Sequence, residues 1–361
     1  MRVLVLIPYL YGYAPGPRTS IELWEKLLNS NGIKLDFVPF ETERLHKVLY
    51  QKGYLFSKSI EMIRSYVKRI QLLFHIDDYD AVFVYREAAL IGPAWLEKWI
   101  ARRKPIIYQL DDPLYIPYVS SSNGYFSYLK CFDKVAEICK MSTTVIVNSA
   151  FHKQFALKHN QNVWQIPSIV DTHRHVYHPQ SLDTKELGIG WIGSPSTMDN
   201  LKIVSRPLQE LAKTVRFKFH MIGAGEFDLP GVDYVNHEWR EETETELLKK
   251  IQIGIAPLLM TEWNKRKFIY KVVQYMAMGI PPICTPLGSN LEVVEHGVTG
   301  FLAGDDKEWL HYMGLLIRDA PLRLQMSGKA AQVARKHYNL EANAEKIVQA
   351  FRSVLNGPNL V

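Results

Sequence analysis

The chain has 361 residues, 47% hydrophobic and 22% charged, which is enough apolar material for two packed cores and excludes a disordered chain. No segment approaches the roughly 18 apolar residues of a membrane span, and Pro8 ends the first apolar run too early for a secretory leader. The net charge of +6 lies in the first half, with 22 Lys and Arg against 16 Asp and Glu through His175 and 21 of each beyond it, too modest an excess to point to nucleic acid.

In chain order, residues 3–7, 34–38, 81–85, 105–110 and 143–147 read as buried strands. Helical patterns lie between them at 20–29, 43–73, 88–102 and 125–139. Apolar runs without period-two alternation, separated by helices, signify a parallel sheet covered on both faces. The pattern then restarts. Strands are expected at 187–192, 216–222, 232–235, 253–257 and 281–285, with helices at 200–214, 243–250, 270–278 and 291–296. Pro207 is expected to kink or divide the first of these. The expected architecture is α/β, two Rossmann-like doubly wound domains facing across a cleft, with the join in 167–182. The first domain is assigned 1–175 and the second 176–338, and a last helix at 339–355 is expected to pack back on the first domain.

Several common α/β functions are disfavoured. The turn after the first strand, Pro8 to Arg18, lacks G-x-G-x-x-G and carries prolines where a dinucleotide fold needs a tight glycine turn. Gly223-Ala224-Gly225 is half a fingerprint, and no Walker A sequence occurs. Asp111 and Asp112 are adjacent, so on extended backbone they point to opposite faces and do not clamp one metal ion unless Pro113 bends the chain there. Cys131, Cys139 and Cys284 have no metal-ligand spacing and read as small buried hydrophobes in a reducing cytoplasm. No metal is expected.

The stretch 261–303 carries the chemistry. Lys267, Lys271 and Gln274 fall at i, i+4 and i+7, so they are expected to share one helix face. Lys265 and Arg266 add positive charge just before it. A cationic helix start with free backbone N–H groups suits a diphosphate. Gly279 and Pro281 end the helix, and Gly288-Ser289-Asn290 forms a second loop expected at a strand's carboxyl end. A solvated basic surface beside an ordinary core helix is the alternative reading.

Met276-Ala277-Met278-Gly279-Ile280-Pro281, Gly288-Ser289-Asn290-Leu291-Glu292-Val293-Val294 and His296-Gly297-Val298-Thr299-Gly300-Phe301-Leu302 together resemble the donor-binding signature of retaining family 4 glycosyltransferases, which have the GT-B fold. The resemblance also touches Gly223-Ala224-Gly225 and 166–171. It covers the second half well and the first half only in outline. Two departures stand out. The family's two signature acids fall on Arg266 and Gln274, and the basic residues usual after the donor domain's first strand give way to Gly193-Ser194-Pro195. A subgroup writes the same K-x3-K-x2-Q-Y-M-A pattern.

That resemblance implies a nucleotide-sugar substrate, UDP-glucose first and GDP-mannose next, no cofactor, and hexosyl transfer with retention to a glycan or lipid-linked acceptor. Charge neutralisation then falls to Lys267 and Lys271. Asp111 or Asp112, where many relatives place a catalytic His, is expected to contact the substrate, the alternative being an Asp pair that caps the next turn. Donor contacts are expected from Gly12, Arg18, Gly193, Ser194, Gln274, Ser289, Asn290, Leu291 and Glu292, with Trp239 walling the base. A non-catalytic nucleotide-sugar-binding partner of an active transferase is the alternative. Within 44–69 seven Lys and Arg accompany one acid, Glu61, with Tyr and Phe interleaved. This segment reads either as a peripheral membrane contact or as an ordinary helix on the first sheet.

Overall fold

The computed structural model describes residues 1–49, 51, 53–118, 124, 129–182 and 186–356. The chain divides into two compact units, Met1–Ile169 with Asn343–Val361, and Val170–Ala342.

The first unit is built on one parallel six-stranded sheet. Its strands are β1 Arg2–Ile7, β2 Lys34–Pro39, β3 Ala81–Tyr85, β4 Ile106–Leu110, β5 Thr144–Val147 and β6 Val163–Gln165, in the order β2-β1-β3-β4-β5-β6. Residues 3–7, all of β3 and all of β4 are buried, as unalternating apolar runs require when helices cover both faces. The strand order reverses between β1 and β3, and the carboxyl ends of those two strands are where such a sheet leaves a crevice. The C-terminal helix Leu340–Arg352 brings Phe351 into a stacked contact with Phe83 of β3.

Three helices of this unit differ from the sequence expectation. The 43–73 stretch is two helices, Glu43–Leu49 and Leu55–Leu73, because Gly53 and Tyr54 both take left-handed backbone angles that no α-helix accommodates. Helix 88–102 shortens to Trp95–Ala101, since Pro93 biases the residue before it away from helix. Of the expected helix 125–139, residues 125–128 lie outside the described residues. The remainder starts only at Lys134, after Cys131 in a left-handed conformation, and runs to Met141.

The second unit repeats the plan with β7 Gly188–Ile192, β8 Lys218–Ile222, β9 Tyr234–His237, β10 Ile253–Ala256, β11 Pro282–Cys284 and β12 Phe301–Leu302. All are parallel, in the order β12-β11-β10-β7-β8-β9. The reversal lies between β7 and β10, the arrangement of dinucleotide-binding sheets. Helices Lys202–Ala212 and Asp306–Arg318 pack together on one core, and Tyr270–Ala277 packs with Ala320–His337 on another. Pro207 does not divide its helix, which runs unbroken through it. The loss is confined to one backbone donor, and the ring is buried in the core.

Candidate active site

At the carboxyl end of β7 stand Trp191, Ile192 and Gly193. Trp191 is fully buried, and the Lys271 Nζ sits 4.1 Å from the centroid of its indole, a cation–π contact. Gly193 is required here by space: a Cβ would lie 2.4 Å from the Trp191 ring and 3.0 Å from the Lys271 Nζ. Lys271 is the second residue of Tyr270–Ala277, so the helix delivers its ammonium to the strand end at the sheet's reversal point.

The Lys271 side chain is half-buried, and among the described residues no carboxylate pairs with it. Burial, reinforced by the neighbouring Lys267 ammonium, brings its pKa down to about 7. Such a cation is poised to gain from an anion.

Lys267 is not on the helix. It follows the short turn Asn264–Arg266 with extended angles, φ −78° and ψ 140°. The Ser289 Oγ holds it so, by accepting the Ile269 N–H at 2.8 Å, while the Ser289 N–H donates to the Lys267 carbonyl at 3.4 Å. The helix therefore begins at Tyr270, three residues later than a shared face with Lys271 and Gln274 would need. Lys265 and Arg266 are both paired with Glu262, at 2.5 and 2.7 Å, so their charge is answered locally.

Gln274 is buried. Its Nε2 lies 2.9 Å from both His175 Nε2 and Glu244 Oε1. Glu244 also accepts from the Trp239 indole at 2.5 Å and stands 3.4 Å from Arg174. Burial alone would raise the Glu244 pKa, but hydrogen bonds from His175 and Trp239 and the charge of Arg174 outweigh it, and the carboxyl is held below its usual range. Trp239 is thereby fixed with more than a third of its surface in solvent.

The remaining expected donor residues fall into distinct roles. Ser289 and Asn290 are buried, and the Asn290 Nδ2 donates to the Thr285 carbonyl at 2.9 Å, which shapes the loop after β11. Leu291 and Glu292 are exposed just beyond it. Ser194 is exposed at the end of β7, where its hydroxyl meets Ser196 at 2.8 Å. The Gly193 N–H is engaged by the Ile222 carbonyl at 3.0 Å, so this residue contributes clearance rather than a free donor.

In the first unit the Gly12 N–H points to the Glu22 carboxylate at 3.1 Å, and Arg18 closes the helical turn Pro15–Arg18. A second polar cluster sits at the carboxyl ends of β1, β3 and β4. The Arg86 guanidinium reaches Asp111 through Nε at 2.6 Å and Nη2 at 2.9 Å, and Nη2 also pairs with Asp112. Nη1 donates to the Tyr9 hydroxyl at 2.7 Å. Tyr85 donates to Asp111 as well, and Asn148 to the Asp111 carbonyl at 3.0 Å.

Burial works against ionising Asp111, yet the charge and hydrogen bonds of Arg86 prevail and lower its pKa. Both of its carboxylate oxygens are occupied. Asp111 thus acts on Arg86, whose φ of +61° is an uncommon conformation for a non-glycine residue and marks a position the surroundings enforce. Gly16 lies against the cluster, where a Cβ would be 2.1 Å from the Tyr85 hydroxyl. Among the described residues no group of three or more His, Cys, Asp or Glu is gathered as a metal site.

Sequence reasoning missed Trp191, Arg86, Tyr9, His175 and Glu244. A tryptophan two residues before a strand-end glycine, and an arginine directly after a buried strand, were the available signals.

Residues 186–319 match a family model described as Glycosyl transferases group 1. No curated protein matches the chain. Among solved structures, a sucrose-phosphate synthase from Thermosynechococcus elongatus is similar over 99% of this chain and 100% of its own, with a TM-score of 0.71 at 13% identity. The HepE protein of Anabaena in complex with UDP and glucose is similar over 98% of this chain and 100% of its own, with a TM-score of 0.65 at 14% identity. A glycosyltransferase from Rickettsia africae is similar over 99% of this chain and 98% of its own, with a TM-score of 0.68 at 13% identity. The chain therefore has the two-domain α/β architecture of GT-B glycosyltransferase structures, and its second unit carries the sequence pattern of the group 1 model.

Proposed function

We propose that the chain is a retaining hexosyltransferase of family 4. It takes glucose from UDP-glucose and passes it, without a metal, to a glycan or lipid-linked acceptor in envelope polysaccharide or glycoconjugate synthesis. One observation carries this reading: a half-buried ammonium, Lys271, with no carboxylate partner among the described residues, stands over Trp191 beside Gly193 at the reversal point of the second sheet. An anion with two phosphates answers both Lys271 and its neighbour Lys267. The Anabaena protein, similar in fold, was solved with UDP-glucose, which supports the choice of donor.

In the proposed reaction the bond between the anomeric carbon and the diphosphate oxygen breaks, and the acceptor oxygen bonds to that carbon on the same face. The acceptor's proton passes to the leaving diphosphate. Negative charge grows on that group as the bond lengthens, so a fixed cation beside it stabilises the transition state more than the ground state. Lys271 and Lys267 supply that charge. The exposed face of Trp239, fixed by Glu244, offers an apolar wall to the base. Gln274 and Glu244 form the polar cluster behind it.

A nucleotide-sugar-binding protein without turnover is the second reading. It is favoured by the absence of a carboxylate at 266 and 274, where the family places its acids. Thermal-shift measurements with UDP, GDP and ADP sugars test the donor. UDP-glucose at 100 times its Kd is expected to stabilise the second unit by about 2.7 kcal/mol, and no response to any UDP sugar overturns the proposal. Slow release of glucose from bound UDP-glucose separates the transferase from the binding protein, which releases none.

A further inference from the structure

Helix Leu55–Leu73 is mounted with its charged side inward. Lys58, Glu61, Ser65 and Arg69 are buried. Each charged group finds a partner there. Lys58 donates to the Gln51 carbonyl at 2.6 Å, Glu61 accepts from Thr42 at 3.3 Å, and Arg69 donates to the Val38 carbonyl at 3.0 Å and the Ile7 carbonyl at 3.4 Å. Arg69 also lies over the Phe40 ring, 5.8 Å from its centroid. These contacts fix the rotation of the helix about its axis.

The consequence is an apolar stripe turned outward. Phe56, Ile63, Val67 and Ile70, with Phe74 at the C-terminal cap, are exposed, Phe56 to 80% and Phe74 to 68%. With half-buried Ile60 they fall at 56, 60, 63, 67, 70 and 74, alternating steps of four and three that keep them on one line along the helix. Several large apolar side chains in one exposed row mark an interaction surface rather than scattered surface residues.

Charge selects the occupant. Arg64 and Lys68 are exposed and follow Ile63 and Val67 by one residue, about 100° round the helix, on one flank of the stripe. Arg44 and Lys47 are exposed on the preceding helix, Glu43–Leu49. From 44 to 74 the one acid in the sequence is Glu61, buried and paired with Arg64. A second copy of the same face would therefore set cations against cations. Lipid phosphates beside an acyl boundary match both the stripe and its flank. No helix among the described residues is long and apolar enough to cross a membrane, so the match is to a surface.

We infer that Leu55–Leu73 is a membrane-surface element that lies in the interface of an anionic bilayer, its apolar stripe in the acyl boundary and its cations at the headgroup phosphates. The inference is independent of the donor reading, since it concerns binding to lipid rather than turnover.

Cosedimentation of the full chain with vesicles of phosphatidylcholine, with and without about 30 mol% phosphatidylglycerol, tests it. Binding is expected to the anionic vesicles, weakening as salt is raised. Ile63→Ser/Val67→Ser, both at exposed positions and so compatible with folding, is expected to abolish it, with an unchanged thermal melt as the control. Lys47→Gln/Lys68→Gln is expected to weaken it by about 25-fold, at about fivefold per cation. No binding to anionic vesicles at low salt, or binding indifferent to the serine pair, overturns the inference. Concentration-dependent self-association that disappears in the serine pair also overturns it, by assigning the stripe to a second copy.

Discussion

Replacing Lys271 with methionine is expected to lower kcat/KM for the UDP-glucose donor by about 100-fold, about 2.7 kcal/mol, the cost of removing one preorganised charge from a developing anion. Methionine keeps most of the stem's packing against Trp191, so the loss reports charge rather than a cavity. Stability should move the other way. The folded pKa of Lys271, about 7, lies below the unfolded 10.5, so between those values the unfolded chain binds more protons and wild-type stability rises with pH. The cost of burying the cation is present in full below pH 7 and is relieved as pH climbs toward 10.5. The variant should therefore melt above wild type at pH 6 and converge with it in alkali. A change of kcat/KM within about threefold would remove Lys271 from the chemistry.

Arg86→Met is expected to destabilise the first unit by about 3–5 kcal/mol at pH 7, measured by urea unfolding. The substitution leaves the buried Asp111 carboxylate, and Asp112 beside it, without the guanidinium that answers both. Adding Asp111→Asn should recover much of the loss, because it removes the orphaned charge and keeps the side-chain shape. The sign with pH follows from the lowered pKa of Asp111. Its contribution in wild type is complete above the unfolded value of 3.8 and disappears as pH falls through the folded one. Equal stabilities for the single and double variants would show that the cluster is held by something other than this ion pair.

The two parallel sheets were legible because buried strands of such sheets are continuous apolar runs, and 81–85 needed no revision. Short edges were not: β6 and β12 have three and two residues, too few to carry a pattern. Helices Asp306–Arg318 and Ala320–His337 went unread, although Asp305 and Asp319 each cap a helix start by accepting a backbone N–H at 2.9 Å.

At the candidate site, spacing suggested a shared face for Lys267 and Lys271, and local pattern holds no trace of the contact that prevents it. Ser289, twenty residues downstream, ties the Ile269 N–H and keeps Lys267 extended. Neutralisation of Lys265 and Arg266 was readable, since Glu262 precedes them by three and four residues. Arg86 depends on the alignment of β3 with β4, a long-range pairing that brings Tyr85 and Gln109 level and so sets Arg86 beside Asp111.

The central claim is that the Lys271 ammonium meets the donor's diphosphate, and proton uptake tests it most directly. UDP-glucose has no phosphate that titrates near neutrality, so calorimetry at pH 8 in buffers of different ionisation enthalpy counts protons taken up by the protein on binding. Free Lys271, with its pKa near 7, is mostly neutral at that pH, and a bound diphosphate should recharge it. Uptake approaching one proton per donor bound, absent in Lys271→Met, is the expected result. Tight binding with no proton uptake would contradict it.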